Sequence, residues 1–399
     1  MMNMSRLTLV AVAGALLLGA CSKPYGTPSF DAGQAELPAS NPAVQFDGFA
    51  SQLTTQRSTK VFWTHGMCTQ GWGWINNTEN LIRASLRAAA VAPTNTPETG
   101  NSYTWTTPIR TPDGTLETTF YVWSPLTQGL KKTLNFDNAT GWGAGFRYDR
   151  APLNEVLKRS LLNDCLADAV VVSGPNRTEI YQQTRKSLCE FLGGRLAGTT
   201  ECKFSGPETP AIPRVLVAES LGSKIIADAV LDLTAASGQE DEFSRRLSSI
   251  RQIFLLANQL PLLDLADASA AFAAGDSSTS ALSRLVKRLE ESNRTQTGDP
   301  IQVVAFTDPN DLLSYRLSEK YLDSDKTDLI NVMVSNDWTY TVPFVETLSL
   351  ERPDAAHCDY QRNNTVMALA AVGNPGRGQE TWQDVEKRIQ STQKKGCGF

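Results

Sequence analysis

Residues 215–233 read VLVAESLGSKIIADAVLDL and combine the pattern of a buried strand with that of an amphipathic helix. Val215–Ala218 is a continuous apolar run, which is typical of a strand that is buried on both faces of a sheet. Apolar residues then recur on one helical face, which predicts a helix over Leu221–Leu233. Ser220 stands at the turn between the two elements, and a small residue lies two positions away on each side. A strand that turns sharply into a helix indicates a parallel sheet covered by helices.

From about residue 58 onward, short apolar runs alternate with helical patterns in the same way. The other predicted strands are Val61–Thr64, Thr118–Trp123, Ala169–Ser173, Ile253–Leu256, Val303–Phe306 and Ile330–Val334. The other predicted helices are Leu81–Ala90, Leu153–Leu162, 180–192 and Thr381–Thr392. This alternation predicts an α/β fold with a mainly parallel sheet and helices on both faces. We expect one domain over residues 51–399, with cap-like insertions at 127–150 and 265–300, the second acting as a lid.

The amino terminus has the pattern of an export signal. Arg6 precedes the apolar run Leu7–Leu18, which is too short to span a bilayer comfortably, and this predicts a signal peptide over residues 1–20. The ending Leu18-Gly19-Ala20-Cys21 resembles a bacterial lipobox, which implies that Cys21 is lipidated and anchors the protein in a membrane. Ser22 stands where Asp would imply the inner membrane, so the resemblance implies the outer membrane. The alternative is an ordinary signal peptide with Cys21 in a disulfide.

The seven cysteines suit an exported protein. Lipidation of Cys21 would leave six, which can pair in an oxidising compartment in any of fifteen connectivities. Cys189 and Cys202 flank a short Gly-rich loop, and we expect them to pair. No Cys or His cluster has the spacing of a zinc site, and we expect no metal and no cofactor. Residues 21–50 are rich in Pro, Ser, Gly and Ala, which predicts a flexible tether.

A second motif follows the first predicted strand. Thr64-His65-Gly66-Met67 places a glycine just after the strand, where the chain can turn close to a bound substrate. Together with Ala218-Glu219-Ser220-Leu221-Gly222, this motif resembles the α/β-hydrolase superfamily in its A-x-S-x-G variant. The resemblance covers roughly residues 58–375 and implies that Ser220 is a nucleophile on an elbow between strand and helix. It also implies an oxyanion hole made by the backbone N–H groups of Met67 and Leu221.

The order of residues in the superfamily implies the rest of a catalytic triad. The sequence has two histidines, of which His65 belongs to the His-Gly turn, so His357, in a loop after the last predicted strand, is the implied base. The acid belongs after Val303–Phe306, where Asp308 and Asp311 both qualify. Because Asp308 precedes a proline and fits the first position of a turn, Asp311 is favoured as the acid. The assignment of Asp308 stays open.

The resemblance implies hydrolysis of a small-molecule or lipid carboxylic ester through an acyl-enzyme. Amidase, thioesterase and acyltransferase activities stay open, because the same triad serves all acyl transfers. The alternative function is a catalytically silent lipoprotein that acts as a binding or scaffold module in the envelope. The net charge of −5 gives no indication of a nucleic-acid partner. Trp72, Trp74, Trp142 and Phe146 would line an acyl pocket on one interpretation, and would be packing residues on the other.

Overall fold

The computed structural model describes residues 20–31, 36–38, 44–90, 103–137, 150–208, 211–267, 277–294, 300–318, 321–322, 326–341, 349–375 and 380–392. The strands are β1 (Ala20–Ser22), β2 (Ser29–Asp31), β3 (Glu36–Pro38), β4 (Phe46–Asp47), β5 (Ser58–Thr64), β6 (Tyr103–Thr111), β7 (Gly114–Val122), β8 (Arg195–Ala197), β9 (Glu201–Lys203), β10 (Arg214–Glu219), β11 (Thr234–Ala235), β12 (Ile250–Leu256), β13 (Ile301–Thr307), β14 (Thr327–Met333), β15 (Thr339–Thr341), β16 (Ser349–Leu350) and β17 (Gly373–Asn374). The helices are α1 (Ser51–Gln56), α2 (Trp72–Ser85), α3 (Pro125–Lys131), α4 (Pro152–Val156), α5 (Ala167–Ser173), α6 (Arg177–Phe191), α7 (Gly222–Asp232), α8 (Glu240–Ser248), α9 (Leu260–Leu263), α10 (Ala281–Arg294), α11 (Pro353–Cys358), α12 (Asn364–Val372) and α13 (Trp382–Thr392).

The main sheet has nine strands in the order β3-β2-β14-β13-β12-β10-β5-β7-β6. The six strands from β14 to β7 are all parallel to one another. Antiparallel strands complete the two edges, with β6 beside β7 at one edge and β2 and β3 beyond β14 at the other. The predicted α/β class with a mainly parallel sheet is therefore confirmed. The carboxyl ends of the six parallel strands lie side by side, and they form the edge of the sheet at which these strands end.

Side chains of the central strands alternate between two buried clusters, one on each face of the sheet. On β10, Leu216 and Ala218 join one cluster, whereas Val215 and Val217 join the other. Helices α6, α7, α8 and α10 cover the first face, and α1, α2, α12 and α13 cover the second. Burial on both faces explains why the run Val215–Ala218 is apolar throughout.

One predicted strand, Ala169–Ser173, is wrong. These residues belong to α5, which follows α4 and a π-helical stretch at Leu157–Leu166. Val170 is 72% exposed, so the three consecutive valines are not a buried run, although valine favours strands. Asp168 instead fixes this helix to the loop after β5 by accepting a hydrogen bond from the Cys68 amide. A contact of this kind overrides local propensity and is not visible in sequence.

The sequence does not predict strand β6, which is an edge strand. Its side chains alternate between half-buried aromatic or apolar residues and exposed polar ones, and only Thr107 and Ile109 are buried. Pro108 is tolerated because an edge strand needs no hydrogen bond from every amide. The apolar signal of β6 is therefore too weak to separate it from a loop.

The flexible tether predicted for residues 21–50 is wrong for the part of that range that the structure describes. Strand β2 pairs with β14 in the main sheet, and β4 pairs with β17. The buried side chains here include Phe30, Val44, Phe46 and Phe49. A few apolar residues thus fix the segment to the core although its composition is that of a linker.

The predicted signal peptide lies almost entirely outside the described residues, which begin at Ala20. The backbone of Cys21 lies in β1, which pairs antiparallel with β15. No helix in the described part of the chain is long and apolar enough to cross a membrane.

The prediction of a cap at residues 265–300 is wrong for α10, which lies within that range. Leu282, Leu285 and Leu289 are buried against α7 and α8, so α10 is the crossover helix between the parallel strands β12 and β13. Residues 268–276 and 295–299 lie outside the described part. Of the other insertion, residues 127–137 form the end of α3 and a 3-10 turn, whereas 138–149 lie outside the described residues.

Candidate active site

Ser220 lies on a strained turn at the carboxyl end of β10, between β5 and β12. Its φ of 49° is in the left-handed region, which serine rarely adopts. The Ser220 amide donates a 2.7 Å hydrogen bond to the carbonyl of Leu256 on β12. The helix α7 begins only two residues later. The backbone therefore holds Ser220 at the tip of the turn, at the edge where the parallel strands end.

Two glycines allow the turns after β5 and β10 to approach each other. A Cβ atom on Gly222 would lie 2.5 Å from the His65 carbonyl oxygen, and one on Gly66 would lie 2.6 Å from the Ser220 Cβ. A Cβ atom is essentially never found within 3.0 Å of a non-bonded heavy atom, so each position needs glycine. This explains why a small residue, Gly222, stands two positions after Ser220, and the His-Gly turn lies directly against the serine.

His357 and Asp311 complete a chain of hydrogen bonds that begins at Ser220. The Ser220 Oγ atom lies 2.9 Å from His357 Nε2, and His357 Nδ1 lies 2.9 Å from both carboxylate oxygens of Asp311. All three residues are buried. When Nδ1 donates to the carboxylate, Nε2 is left as the acceptor for the serine hydroxyl. The structure thus brings together the three residues that the sequence assigned to a triad, although His357 lies in the short helix α11 rather than in a loop.

The carboxylate of Asp308 is engaged in hydrogen bonds at the turn that carries Asp311. One Asp308 oxygen accepts from the Asn310 amide at 2.9 Å, and the other accepts from the Asn336 amide at 2.6 Å. The Asp308 carbonyl also accepts from the Asp311 amide. Burial and the neighbouring Glu351 raise the pKa of Asp308 to about 7. Geometry therefore favours Asp311 over Asp308 as the partner of His357, because a turn begins at Asp308 and engages its carboxylate, as the sequence predicts.

Tyr360 links the two aspartates and was not identified from the sequence. Its hydroxyl accepts a hydrogen bond from the Asp308 amide at 2.6 Å and donates one to Asp311 Oδ2 at 3.1 Å. The side chain is fully buried, and burial raises the pKa of its phenol. Tyr360 therefore fixes the orientation of the Asp311 carboxylate. No local motif marks such a residue, because its role depends on a contact across 49 positions of sequence.

His65 stabilises the His-Gly turn and does not contact the triad. Its Nδ1 atom lies 2.7 Å from the Gly66 carbonyl oxygen, and its Nε2 atom accepts from the amides of Trp123 and Ser124. Burial lowers the pKa of His65 to about 3, so the ring is neutral at ordinary pH. The ring stacks on Trp123 and joins the end of β5 to the end of β7. Its role is structural.

The amides of Met67 and Leu221, the predicted oxyanion donors, belong to the two turns that meet at Ser220. Leu221 follows the serine directly, and Met67 follows Gly66, whose backbone lies against the serine side chain. In the described part of the chain, neither amide donates a hydrogen bond to another protein group. An oxyanion hole needs backbone N–H groups that are free of other partners, and among the described residues both amides meet this requirement.

The loop that carries Met67 is fixed by residues in the connection that follows β7. Cys68 forms a disulfide with Cys165, and its amide donates a 2.8 Å hydrogen bond to Asp168. The next residue, Thr69, donates from its amide and its hydroxyl to Asp164. The expected Cys189–Cys202 disulfide is also present, far from this loop in sequence. The position of the Met67 amide is therefore fixed by the covalent and polar contacts of the two residues that follow it, Cys68 and Thr69.

A buried lysine organises these contacts. Lys131 Nζ lies 3.0 Å from Asp168 Oδ1 and 2.8 Å from Asp164 Oδ1, and it donates to the Thr69 hydroxyl. Asp168 is fully buried, and burial raises its pKa in spite of the opposing effect of Lys131. Thr127 donates a further hydrogen bond to Asp168. The sequence gives no sign of this cluster, which we call the Lys131 cluster (Lys131, Asp164 and Asp168).

Glu219, directly before Ser220, is a second buried carboxyl group that the sequence left without a role. Indole N–H groups of Trp63 and Trp74 donate to its two oxygens, at 2.7 and 3.4 Å. Burial raises the pKa of Glu219 to about 7. Trp74 is buried and also packs edge-on against His65, so of the two interpretations for this tryptophan the structure favours packing. Trp142 and Phe146 lie outside the described residues.

No family model matches this chain, and comparisons with curated proteins and with solved structures find no similar protein. The interpretation of the site therefore depends on its geometry and chemistry. Among the residues that the structure describes, no group of three or more His, Cys, Asp or Glu residues is arranged to hold a metal ion.

Proposed function

We propose that this protein is a serine hydrolase of the α/β-hydrolase superfamily that cleaves carboxylic esters. The observation that carries the proposal is the series of 2.9 Å contacts from Ser220 through His357 to Asp311. Ser220 and Asp311 follow the carboxyl ends of β10 and β13, His357 lies in α11 further along the chain, and the order along the chain is serine, acid, histidine. This order and the elbow context are those of the superfamily.

In the proposed mechanism, Ser220 Oγ attacks the ester carbonyl carbon while His357 Nε2 takes the hydroxyl proton. The oxygen that becomes negatively charged accepts hydrogen bonds from the amides of Met67 and Leu221. His357 then gives its proton to the leaving alcohol as the ester C–O bond breaks. A water molecule, deprotonated by His357, attacks the acyl-serine and releases the acid. Asp311 holds the imidazole ring in place and stabilises its charged form.

The strained backbone at Ser220 supports an enzyme rather than a silent binding module. A positive φ at a serine costs of order 1–3 kcal/mol and persists where the surrounding structure enforces it. A scaffold protein has no need of this strain, nor of a buried histidine in contact with the strained residue. Strain of this kind is concentrated at active sites, where it presents a reactive group.

We further propose that Cys21 is acylated and holds the protein at the outer membrane of the cell envelope. The support is the lipobox-like ending at Leu18–Cys21. The intact mass of the membrane-extracted protein should correspond to a mature chain that begins at Cys21 and carries added acyl groups. A mature chain with another first residue and no added lipid would contradict this.

Replacement of the serine tests the proposed activity. Ser220→Ala should lower turnover of a soluble p-nitrophenyl ester by about 10⁴–10⁶. Ser205→Ala is the matched control, because Ser205 is exposed and follows β9, at the end of the sheet opposite to the site. It should keep full activity. If Ser220→Ala retained more than about a tenth of the activity at equal purity, Ser220 would not be the nucleophile.

A further inference from the structure

Every exposed large hydrophobic side chain of the described residues lies in a connection that begins at the edge of the sheet that holds Ser220. There are thirteen, and each belongs to a connection that leaves the carboxyl end of a parallel strand. Seven lie between residues 125 and 173, two follow β12, and four follow β13 and β14. Those four, which we call the rim patch, are Leu312, Tyr315, Trp338 and Tyr340. Apolar surface concentrated in one area marks an interaction surface rather than chance exposure.

The rim patch adjoins the acid of the proposed triad. Leu312, which is 75% exposed, directly follows Asp311. Trp338 and Tyr340, 45% and 38% exposed, flank the buried Thr339 on β15, so both side chains point to the outer side of that strand. Asn310 Nδ2 lies 3.3 Å from the Thr339 hydroxyl. The two loops that carry the patch are therefore in contact beside the site.

The amino-terminal segment runs along this same rim. The backbone of Cys21 pairs with that of Tyr340. Lys23 Nζ donates to the Asn336 carbonyl at 3.2 Å and lies 5.7 Å from the centre of the Trp338 ring. The Tyr25 amide donates to the Ser335 hydroxyl. These contacts fix the chain just after Cys21 against the loop that follows β14.

The position of Cys21 indicates that the partner of the rim patch is a membrane. Acyl chains on Cys21 insert into a bilayer, and because Cys21 pairs with Tyr340 the bilayer surface must lie beside the rim patch. A tryptophan with a lysine next to it suits the headgroup region, where the ring is partly buried and the amine reaches lipid phosphates. Stable membrane binding commonly combines a lipid anchor with a second contact of this kind.

We propose that the rim patch docks on the membrane that anchors Cys21, so that the site faces the bilayer and takes membrane-borne acyl ester lipids as substrates. This inference rests on the proposed ester hydrolysis and on the acylation of Cys21. The lipid anchor then does more than retain the protein in the envelope, because it orients the edge that holds Ser220 toward the substrate.

The test uses the mature chain from residue 21 with Cys21→Ser, exported behind a signal peptide that is cleaved without lipidation, so that neither an acyl chain nor the apolar run Leu7–Leu18 contributes to binding. Sedimentation with vesicles of phosphatidylethanolamine and phosphatidylglycerol measures binding, and a fluorogenic diacyl phospholipid in the same vesicles measures hydrolysis. Adding Leu312→Ser and Trp338→Ser should weaken vesicle binding at least about tenfold, and hydrolysis in vesicles should fall with it. Hydrolysis of a soluble p-nitrophenyl ester should stay within about twofold, since neither side chain belongs to the proposed triad.

A matched control removes two exposed charges, Arg195→Ser and Lys203→Ser, from the hairpin at the opposite end of the sheet; it should bind vesicles as the parent does. Vesicle binding that is absent in the parent, or unchanged in the rim variant, would overturn the inference. A dimer in sedimentation velocity that only the rim variant dissociates would also overturn it, because the occupant would then be a second copy of the chain. If vesicle binding falls in the rim variant but no form hydrolyses the soluble ester, the docking surface stands and the proposed activity fails.

Discussion

Replacing Lys131 with methionine tests how the proposed oxyanion loop is held. The change removes the charge beside the buried Asp168 carboxylate and keeps a side chain of similar length. Breaking a buried ion pair by removal of one partner costs about 3–5 kcal/mol, because the remaining charge is left uncompensated. Asp168 keeps its hydrogen bonds from the Cys68 amide and the Thr127 hydroxyl. We therefore expect the free energy of unfolding to fall by an amount near the lower limit, about 3 kcal/mol.

The same variant should also lose activity, because the Met67 amide is no longer held in position. An uncompensated Asp168 takes up a proton or admits water, and either change weakens its bond to the Cys68 amide and frees the Met67 amide. Loss of one oxyanion donor costs about 10²–10³ in kcat, whereas KM should change little. Lys131→Met combined with Asp168→Asn keeps an acceptor for the Cys68 amide without a buried charge, so it should recover most of both losses. Urea unfolding and steady-state kinetics measure the two effects, and a Lys131→Met protein with wild-type kcat would refute this role for the Lys131 cluster.

The remaining predictions concern the acid, a buried carboxyl group and the disulfides. Asp311→Asn should lower kcat by up to about 10⁴, whereas Asp308→Asn should mainly lower the melting temperature; the reverse pattern in kinetics and melting curves would show that the acid is misassigned. Because burial raises the pKa of Glu219 from 4.5 to about 7, the folded protein keeps a proton that the unfolded chain releases between these values. Glu219 should therefore contribute a fall of about 3 kcal/mol in the free energy of unfolding as pH rises through that window, and denaturation at several pH values should show a decline smaller by this amount in Glu219→Gln, which keeps the separate contribution of Asp308. Cys165→Ser should lower kcat on a soluble ester, whereas Cys202→Ser, which breaks the other disulfide, should lower stability only; equal kinetic losses in both would contradict a specific role for the Cys68 loop.

The sheet and its helices could be predicted because their signals are local. The run at 215–218 is apolar on both faces, and a glycine follows at the second position after Ser220, where the turn after β5 passes within contact distance. Burial and chain crossing thus leave marks in neighbouring residues. The triad residues could be placed for a related reason, since parallel strands end at one edge and loops after them meet there.

What the sequence did not predict depends on contacts between distant residues. Tyr360 orients Asp311, and Lys131 neutralises Asp168, but neither pair has a characteristic spacing. The same holds for the helix α5, in which a β-branched run stays helical because Asp168 is fixed to the Cys68 amide. For the predicted tether, composition outweighed a few large side chains, Phe30 above all, whose burial in the core could be known only from the fold.

Labelling with a fluorophosphonate probe shows most directly whether Ser220 is an activated nucleophile, because the probe phosphonylates a serine only where a base and an oxyanion site act on it. The folded protein should take up one probe per chain, on the peptide that contains Ser220. His357→Ala should label far more slowly, and denatured protein should not label. If the folded, disulfide-bonded protein is not labelled, or if the adduct is found on another serine, Ser220 is not an activated nucleophile and the account of this site is wrong.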